Sequence, residues 1–292
     1  VRAGAIDGVE HERLDGLVGS NDLLAIEYFR PIGRRGLFIS PRAYSAASSA
    51  NLFSEGVRVA EYRQRKVAAG LDAGYIFNRR SQLRIGYEVA DAQAKVSIGD
   101  PVLPNLKGLV RDASTRFVYD GLNSAMVPTS GVRVSAEGHW FFQAPGAARA
   151  FPLAELRAAA FQPLTNKSSI FVYGGGGTAF SRIAGPLEQF TLGGPFRLGA
   201  YGRGEFRGSN YVLASGGFMH RLGYLPELLG GKIYAVGWYE VGCAFNRSAE
   251  TNYLNSVSGA AMMETRLGPF RFGGAFGEGG RGRIFVSWGR SF

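Results

Sequence analysis

The chain has 292 residues, of which 46% are apolar and 19% are charged, so it is too apolar for a disordered protein. Its 43 glycines disfavour a helical fold, because glycine costs about 1 kcal/mol in a helix interior. A single cysteine, Cys243, excludes an internal disulfide. The formal charge of +10 could attract nucleic acid or anionic lipid, but the basic residues are spread along the chain, so we predict no nucleic-acid binding.

The chain begins at Val1 without the basic and apolar regions of a signal peptide. We therefore expect it to be the C-terminal part of a larger protein. No run of about 18 uncharged apolar residues occurs, which argues against a transmembrane helix. Membrane β-barrels remain compatible with this sequence, because their strands are short and only half apolar.

An alternation of apolar and polar residues recurs along the chain, as expected when successive side chains point to opposite faces of a strand. The clearest segments are residues 82–89, 132–140, 232–241 and 283–292. Many segments reach ten residues or more, whereas strands of globular proteins usually have about 5–6. Charges in mid-strand, such as Arg84, Glu137 and Glu240, suit a wet lumen better than the face of a soluble sandwich.

The pattern predicts one domain over residues 1–292, an all-β transmembrane antiparallel barrel of about 16 strands. The predicted strands are 1–9, 21–30, 36–47, 51–64, 66–77, 81–92, 93–100, 109–120, 129–142, 151–163, 167–180, 210–221, 231–243, 257–267, 269–277 and 282–292. Tight connections are expected at 30–35, 64–66 and 267–270, and looser ones at 100–108 and 246–255. The connection 222–231 is placed on the periplasmic side although it is not short.

Residues 181–209 interrupt the alternation. Connections this long inside a compact fold are usually functional or disordered. This one carries apolar residues that favour burial: Phe190, Leu192, Phe196, Leu198, Tyr201 and Phe206. We predict a loop that folds back into the barrel lumen; the alternative is an outer Ω-loop packed on its own residues.

Four segments in order resemble motifs of the bacterial surface antigen superfamily, the BamA/TamA-like outer-membrane insertases and translocases. The segments are Leu192-Gly193-Gly194 followed by Arg197 to Tyr201, Tyr119 to Asn123 with Pro128 to Gly131, Trp238 to Gly242, and the C-terminal Val286, Trp288 and Phe292. The loop sequence looks most similar to barrels fused to patatin-like phospholipases. The resemblance covers nearly the whole chain and implies a bacterial outer-membrane location.

The resemblance also implies site residues. The loop would form a lumen latch through Leu198, Gly199, Ala200 and Tyr201 with Arg197 and Arg203, its wall partners would be Trp238, Glu240 and Gly242, and Val286, Trp288 and Phe292 would form the C-terminal assembly signal. The family's loop arginine is missing here, because Ala200 occupies its place. Since a shielded carboxylate is costly without a partner, we hypothesise that Arg203 or Arg197 pairs with Glu240.

The expected function is a non-enzymatic barrel that anchors, and translocates or inserts, a polypeptide delivered from an upstream periplasmic or passenger domain. Expected partners are outer-membrane lipid, the barrel-assembly machinery and that polypeptide. No Gly-x-Ser-x-Gly motif and no metal-ligand spacing occur, so we predict no catalytic residue, no metal and no cofactor. The alternatives are a passive porin-like channel for small solutes, a membrane-embedded lipase and a soluble β-sandwich.

Overall fold

A computed structural model describes residues 11–17, 21–33, 36–54, 56–100, 102–226, 230–247, 251–266 and 268–289 of the chain. Within them, no helix is both long enough and apolar enough to cross a membrane. The strands are β1 His11–Leu17, β2 Asn21–Ile32, β3 Leu37–Ser54, β4 Val57–Asn78, β5 Ser81–Ile98, β6 Leu106–Asp120, β7 Gly131–Gln143, β8 Phe151–Pro163, β9 Ser168–Thr178, β10 Phe190–Leu192, β11 Phe206–Gly208, β12 Asn210–Tyr224, β13 Gly230–Phe245, β14 Leu254–Thr265, β15 Gly268–Gly277 and β16 Gly282–Trp288.

The main sheet of the described residues contains 14 strands in chain order, with β9 followed directly by β12. The described pairings within it are antiparallel, from β1–β2 to β15–β16. The remaining two strands, β10 and β11, form a separate small hairpin inside the long connection. The all-β antiparallel architecture therefore agrees with the prediction from alternation.

Several predicted strand boundaries are wrong between residues 51 and 100. The predicted strand 51–64 contains the end of β3 and the start of β4, and β4 continues without interruption for 22 residues through the predicted strand 66–77. The chain reverses earlier, at Gly56, whose φ of 78° suits glycine. Residues 93–100 are not a separate strand, since β5 extends to Ile98. Polar residues in these strands were read as turns, whereas they continue the alternation; the predicted strand 1–9 lies outside the described residues.

Contacts divide the chain into two compact units. The first contains residues 1–119, 135–155 and 178–189, and the second contains residues 120–134, 156–177 and 190–292. Each is described below by itself, and the expectation of a single domain stays a prediction.

In the first unit, one face of β3–β6 is exposed and largely apolar. Along β4 this face carries Val67, Leu71, Tyr75 and Phe77, which are between 37% and 54% exposed. At about 3.3 Å per residue, residues 67–77 extend roughly 33 Å along the strand. A strand tilted by about 45° would then present an apolar band close to the ~25 Å height of outer-membrane barrels.

The opposite face of the first unit carries a network of paired charges. Glu88 accepts a hydrogen bond from Tyr44 (2.9 Å) and lies 2.7 Å from Lys66 and 3.0 Å from Arg42. The same pattern continues with Arg84, which lies 2.7 Å from Glu27. Further members are Asp72, which lies between Arg42 and Arg84, and Asp112, which contacts His139. Buried carboxylates on this face are thus compensated by neighbouring cations and hydroxyls.

Glu88→Gln is expected to lower the free energy of unfolding by about 1–3 kcal/mol, because two cations lose their shared carboxylate. The side chains of Arg42 and Lys66 are 26% and 35% exposed, so solvent screening keeps the loss below that of a fully buried pair. The measurement is urea unfolding in lipid vesicles followed by tryptophan fluorescence. Asp91→Asn, at an exposed position of the same strand, serves as the control and should change stability by less than about 0.5 kcal/mol. Equal losses in the two variants would contradict the expectation.

The second unit has a continuous apolar core instead. Trp238, Phe171, Tyr211 and Met262 are among its buried members, each at most 3% exposed. The connection between β6 and β7 contributes Val127, which is 2% exposed. This core includes Leu192, Phe196, Leu198 and Tyr201, so the part of the long connection that belongs to this unit packs with its strands.

Candidate functional site

The residues between β10 and β11 fold back on themselves, and we call residues 190–208 the latch loop. The amide of Gly193 donates to the carbonyl of Arg197 at 2.6 Å, and that of Gly194 to the carbonyl of Tyr201 at 3.1 Å. The loop places its apolar side chains in the core of the second unit, and Leu192 and Leu198 are completely buried. The latch loop is therefore a packed element of this unit, in agreement with its apolar sequence.

Glu240 on β13 fixes the tip of the latch loop. Its carboxylate is completely buried and accepts hydrogen bonds from the amides of Leu198 (3.2 Å) and Gly199 (2.8 Å). The hydroxyl of Tyr173 on β9 donates a third bond at 2.7 Å. Three donors compensate the loss of water around a buried carboxylate.

The hypothesis that Arg203 or Arg197 pairs with Glu240 is wrong. Across the described part of the chain, the carboxylate of Glu240 makes no salt bridge with an arginine; backbone amides take that role. The guanidinium of Arg197 donates instead to the carbonyl of Thr191, from Nε at 3.2 Å and from Nη2 at 2.8 Å. Because Ala200 lacks a charged side chain, the backbone itself approaches the wall.

A stack of three side chains holds the loop beside this anchor. The ring of Phe196 lies parallel to that of Trp238, with centroids 4.4 Å apart and planes at 5°. The guanidinium carbon of Arg271 on β15 lies 5.4 Å from the centroid of Phe196. Arg271 is 3% exposed and also donates to the carbonyl of Gly289. The cation–π contact therefore provides favourable surroundings for a buried positive charge.

The backbone at this tip is strained. Phe196 and Leu198 have φ values of 61° and 72°, in the left-handed region that residues other than glycine rarely adopt. Such residues cost about 1–3 kcal/mol each and persist only where surrounding contacts determine their conformation. The stack and the Glu240 hydrogen bonds are those contacts.

Gly199→Ala is expected to loosen the latch loop, because a Cβ there would lie 2.7 Å from Oγ of Ser258 and 3.0 Å from Cβ of Ala275. Overpacking of this kind costs about 1–3 kcal/mol. The measurement is the rate at which a protease cleaves the loop in the folded, detergent-solubilised chain.

Ser258→Ala removes the nearer of these two atoms and gives a matched test. The double variant with Gly199→Ala should recover most of the protection that the single variant loses. Failure of Ser258→Ala to restore any protection would contradict crowding at this position as the cause.

Two further contacts hold the outer part of the loop. The amide of Ala200 donates to Oγ of Ser256 on β14 at 3.0 Å. Glu205 forms an ion pair with Arg281, which follows the 3-10 turn Glu278–Gly280, and the guanidinium of Arg281 lies 5.4 Å from the ring centroid of Tyr201. Burial raises the pKa of the Tyr201 phenol above its ordinary value. In this ion pair the loop contributes the carboxylate, Glu205. The sequence hypothesis had instead expected the loop to contribute an arginine.

The connection between β6 and β7, another of the family-like motifs, is closed by one side chain. Oδ1 of Asn123 accepts from the amides of Thr129 (3.0 Å) and Ser130 (3.1 Å), and its Nδ2 donates to Oγ1 of Thr129 at 2.9 Å. Gly131 follows with a φ of 103°. The motif therefore encodes a rigid connection that positions Val127 in the core.

The remaining predicted site residues lie apart from the anchor. Gly242 is on β13, two residues after Glu240, and a Cβ there would lie 2.7 Å from the carbonyl oxygen of Val212. Val286 and Trp288 are exposed on β16, at 62% and 59%. Phe292 lies outside the described residues, so the C-terminal assembly signal stays a prediction.

Sequence reasoning missed Phe196, Tyr173, Arg271 and Ser256 as functional candidates. Arg271 had a visible signal, since it is a single cation between Phe270 and Phe272 in a predicted strand, on the face that alternation assigns to the lumen. Phe196 was predicted only to be buried, and Tyr173 and Ser256 carried no signal, because their roles arise from contacts between distant segments. In the described ranges, no group of three or more His, Cys, Asp or Glu is arranged to hold a metal ion.

Comparisons with known proteins agree with this geometry. The Omp85 superfamily domain model matches residues 20–261. The solved structure of BamA from Haemophilus ducreyi lacking POTRA domains 1–3 is similar with a TM-score of 0.69 at 13% identity, over 92% of this chain and 61% of that chain.

Two CdiB structures are also similar. CdiB from Escherichia coli gives a TM-score of 0.58 at 12% identity, over 92% of this chain and 51% of that chain. CdiB from Acinetobacter baumannii gives 0.55 at 14% identity, over 88% of this chain and 46% of that chain. The present chain therefore spans about three fifths of the BamA chain and half of the CdiB chains.

A search of curated protein sequences gives no match. The family model nevertheless covers most of the chain, and the structural likeness shows the fold. Both confirm the predicted BamA/TamA-like resemblance, the transmembrane antiparallel barrel and the outer-membrane location. The chain belongs to the Omp85 superfamily and is an outer-membrane β-barrel.

Proposed function

We propose that this barrel anchors in the outer membrane and translocates or inserts a polypeptide delivered from a periplasmic or passenger domain. The latch loop is the movable part, closing the lumen at rest and yielding when the polypeptide arrives. The observation that carries the proposal is the anchor at Glu240, where a buried carboxylate binds the loop through backbone amides.

Backbone amides are groups that any polypeptide offers. An extended segment entering the lumen can present N–H donors to Glu240 in place of those of Leu198 and Gly199, so the carboxylate need not lose its hydrogen bonds when the loop leaves. The strain at Phe196 and Leu198 is relieved at the same time. These features favour a polypeptide substrate over a small solute, which lacks repeated donors.

We further propose that the barrel-assembly machinery reads the exposed apolar positions Val286 and Trp288 on β16 together with the terminal Phe292. The chain itself acts without a catalytic residue or a cofactor.

The test of the latch is single-channel conductance in a planar bilayer, for the intact chain and for a deletion of residues 191–208. Small or flickering conductance that becomes large and steady on deletion supports the proposal. Large, steady conductance in the intact chain, unchanged by the deletion, would instead favour a passive porin. A translocation assay with a fluorescent unfolded polypeptide in vesicles then separates passage of polypeptide from passage of ions.

A further inference from the structure

The strands of the first unit extend past the apolar band. On β4 the exposed positions after Val67, in the direction of Gly56, are Arg65 and Arg63. On β5 the exposed apolar series ends at Val89, and Asp91 and Lys95 follow. On β6, Lys107 and Arg111 are exposed.

These cations lie on one face of three neighbouring strands, at three levels along them. Arg65 is opposite Gln93 on β5, and Gln93 is opposite Lys107 on β6. Neighbouring strands are about 4.8 Å apart, so Arg65 and Lys107 flank Gln93 at about 10 Å from each other. Arg111 is opposite Val89, at the edge of the apolar band. Arg63, Arg65, Lys95, Lys107 and Arg111 together form what we call the boundary patch.

The patch carries an uncompensated charge. Arg63 lies 2.5 Å from Asp22, and Asp91 is exposed on β5; Glu61, two positions beyond Arg63 on β4, is paired with Arg58. The five cations therefore exceed Asp22 and Asp91 by three charges. Arg63 and Lys95 are directly opposite each other on neighbouring strands, a placement that destabilises a sheet when both residues are cationic. Asp22 offsets the charge of Arg63, and an anion bound between the two cations would also offset that of Lys95.

The apolar band next to the patch indicates which kind of anion the patch binds. A free anion needs only the cations, whereas a lipid also needs apolar surface on the same face. Here Val67 and Leu71 on β4 and Tyr87 and Val89 on β5 continue the face directly beneath the cations, and all are exposed. Lys and Arg near such a boundary keep their charges in the headgroup region while their stems cover apolar surface.

The patch lies at the outer end of the strands. At this end of the first unit the connections include residues 55–56, 99–105 and 144–150, whereas those at the opposite end, 33–36 and 79–80, are all short. Outer-membrane barrels have short periplasmic turns and longer outer loops. The cations therefore face the headgroups of the outer leaflet.

We propose that the boundary patch binds an anionic lipid of the outer leaflet whose sugar headgroup bears more than one phosphate, with its acyl chains on the apolar band of β4 and β5. Arginine and lysine at several positions suit separate phosphates of one headgroup. Lipid binding here depends only on the membrane location of the strands and is independent of the proposed translocation.

The experiment titrates the full chain in detergent micelles with a diphosphorylated lipid A and counts bound lipid by native mass spectrometry. The test variant is Arg65→Gln/Lys95→Gln/Lys107→Gln, which should raise the apparent Kd about tenfold or more, since each basic residue near a lipid surface contributes roughly 1 kcal/mol. The control, Arg79→Gln/Arg80→Gln/Lys167→Gln, removes the same charge from exposed turns and should bind as the parent chain does.

Two further measurements make the result specific. The charge-conserving variant Arg65→Lys/Lys95→Arg/Lys107→Arg should retain binding, and phosphatidylglycerol, with one phosphate, should bind more weakly than lipid A. Equal losses in the test and control variants would overturn the proposal. Equal binding of the two lipids, or binding of inorganic pyrophosphate as tight as that of lipid A, would also overturn it. Unchanged migration of unheated samples in gels verifies that each variant is folded.

Discussion

Glu240→Leu is expected to detach the latch loop and to convert small, flickering currents into large, steady ones. The substitution removes the acceptor of Leu198 N–H, Gly199 N–H and the Tyr173 hydroxyl, and the two amides are then buried without that acceptor. Each unsatisfied donor costs about 1–3 kcal/mol. The positive φ values of Phe196 and Leu198 already destabilise the docked loop. The added cost of the unsatisfied donors should therefore be enough to release it.

Single-channel recording and limited proteolysis of the loop measure this effect. Glu240→Gln retains an acceptor oxygen but introduces an amide that cannot accept, so its effect should be intermediate. Glu137→Leu on β7, whose carboxylate pairs with Arg116 in the first unit, is the control and should leave loop cleavage unchanged. Parent-like currents and loop protection in Glu240→Leu would show that the amide anchor does not hold the loop.

Phe196→Ala is expected to lower the free energy of unfolding by about 3–5 kcal/mol, the usual cost of deleting a buried aromatic ring. The ring is 6% exposed, and its loss removes the stack on Trp238 and the contact that shelters the Arg271 guanidinium. Chemical unfolding in lipid vesicles, followed by tryptophan fluorescence, measures the change, and Trp238 should report it directly.

Phe196→Gly separates the effect of losing the aromatic ring from the effect of backbone strain. Both variants lack the ring, but glycine adopts positive φ without the cost of about 1–2 kcal/mol that alanine carries. The glycine variant should therefore be the more stable of the two. Phe218→Ala, at a 46% exposed position of β12, controls for the residue type and should have a smaller effect. A glycine variant no more stable than the alanine variant would contradict backbone strain at this position.

Alternation was sufficient to predict the sheet, because each strand buries one face and the period of two is visible in single segments such as residues 82–89. It failed between residues 51 and 77, where Arg63, Arg65 and Lys66 suggested a turn. Those residues continue the strand beyond the apolar band, and a sequence pattern does not show where a membrane ends. The turn itself depends on Gly56, one glycine among 43.

The latch was only half predictable. The apolar residues of the connection predicted that it packs, and the family-like motifs named Leu198, Gly199 and Glu240. The partner of Glu240 was not predictable from side-chain types, because the donors are backbone amides that every residue carries. The Phe196–Arg271 contact joins residues far apart in sequence, so no local pattern reveals it.

The position of the latch loop in the chain also constrains the order of assembly. Gly199 precedes its acceptor on β13 by 41 residues, and Ala200 precedes its acceptor on β14 by 56. A nascent chain therefore contains the loop before the strands that bind it have formed. The binding position of the loop is complete only when β13 and β14 have paired. Docking of the loop is consequently a late step in folding. An intermediate in which β14 has not yet paired leaves Phe196 and Leu198 exposed to periplasmic chaperones and proteases.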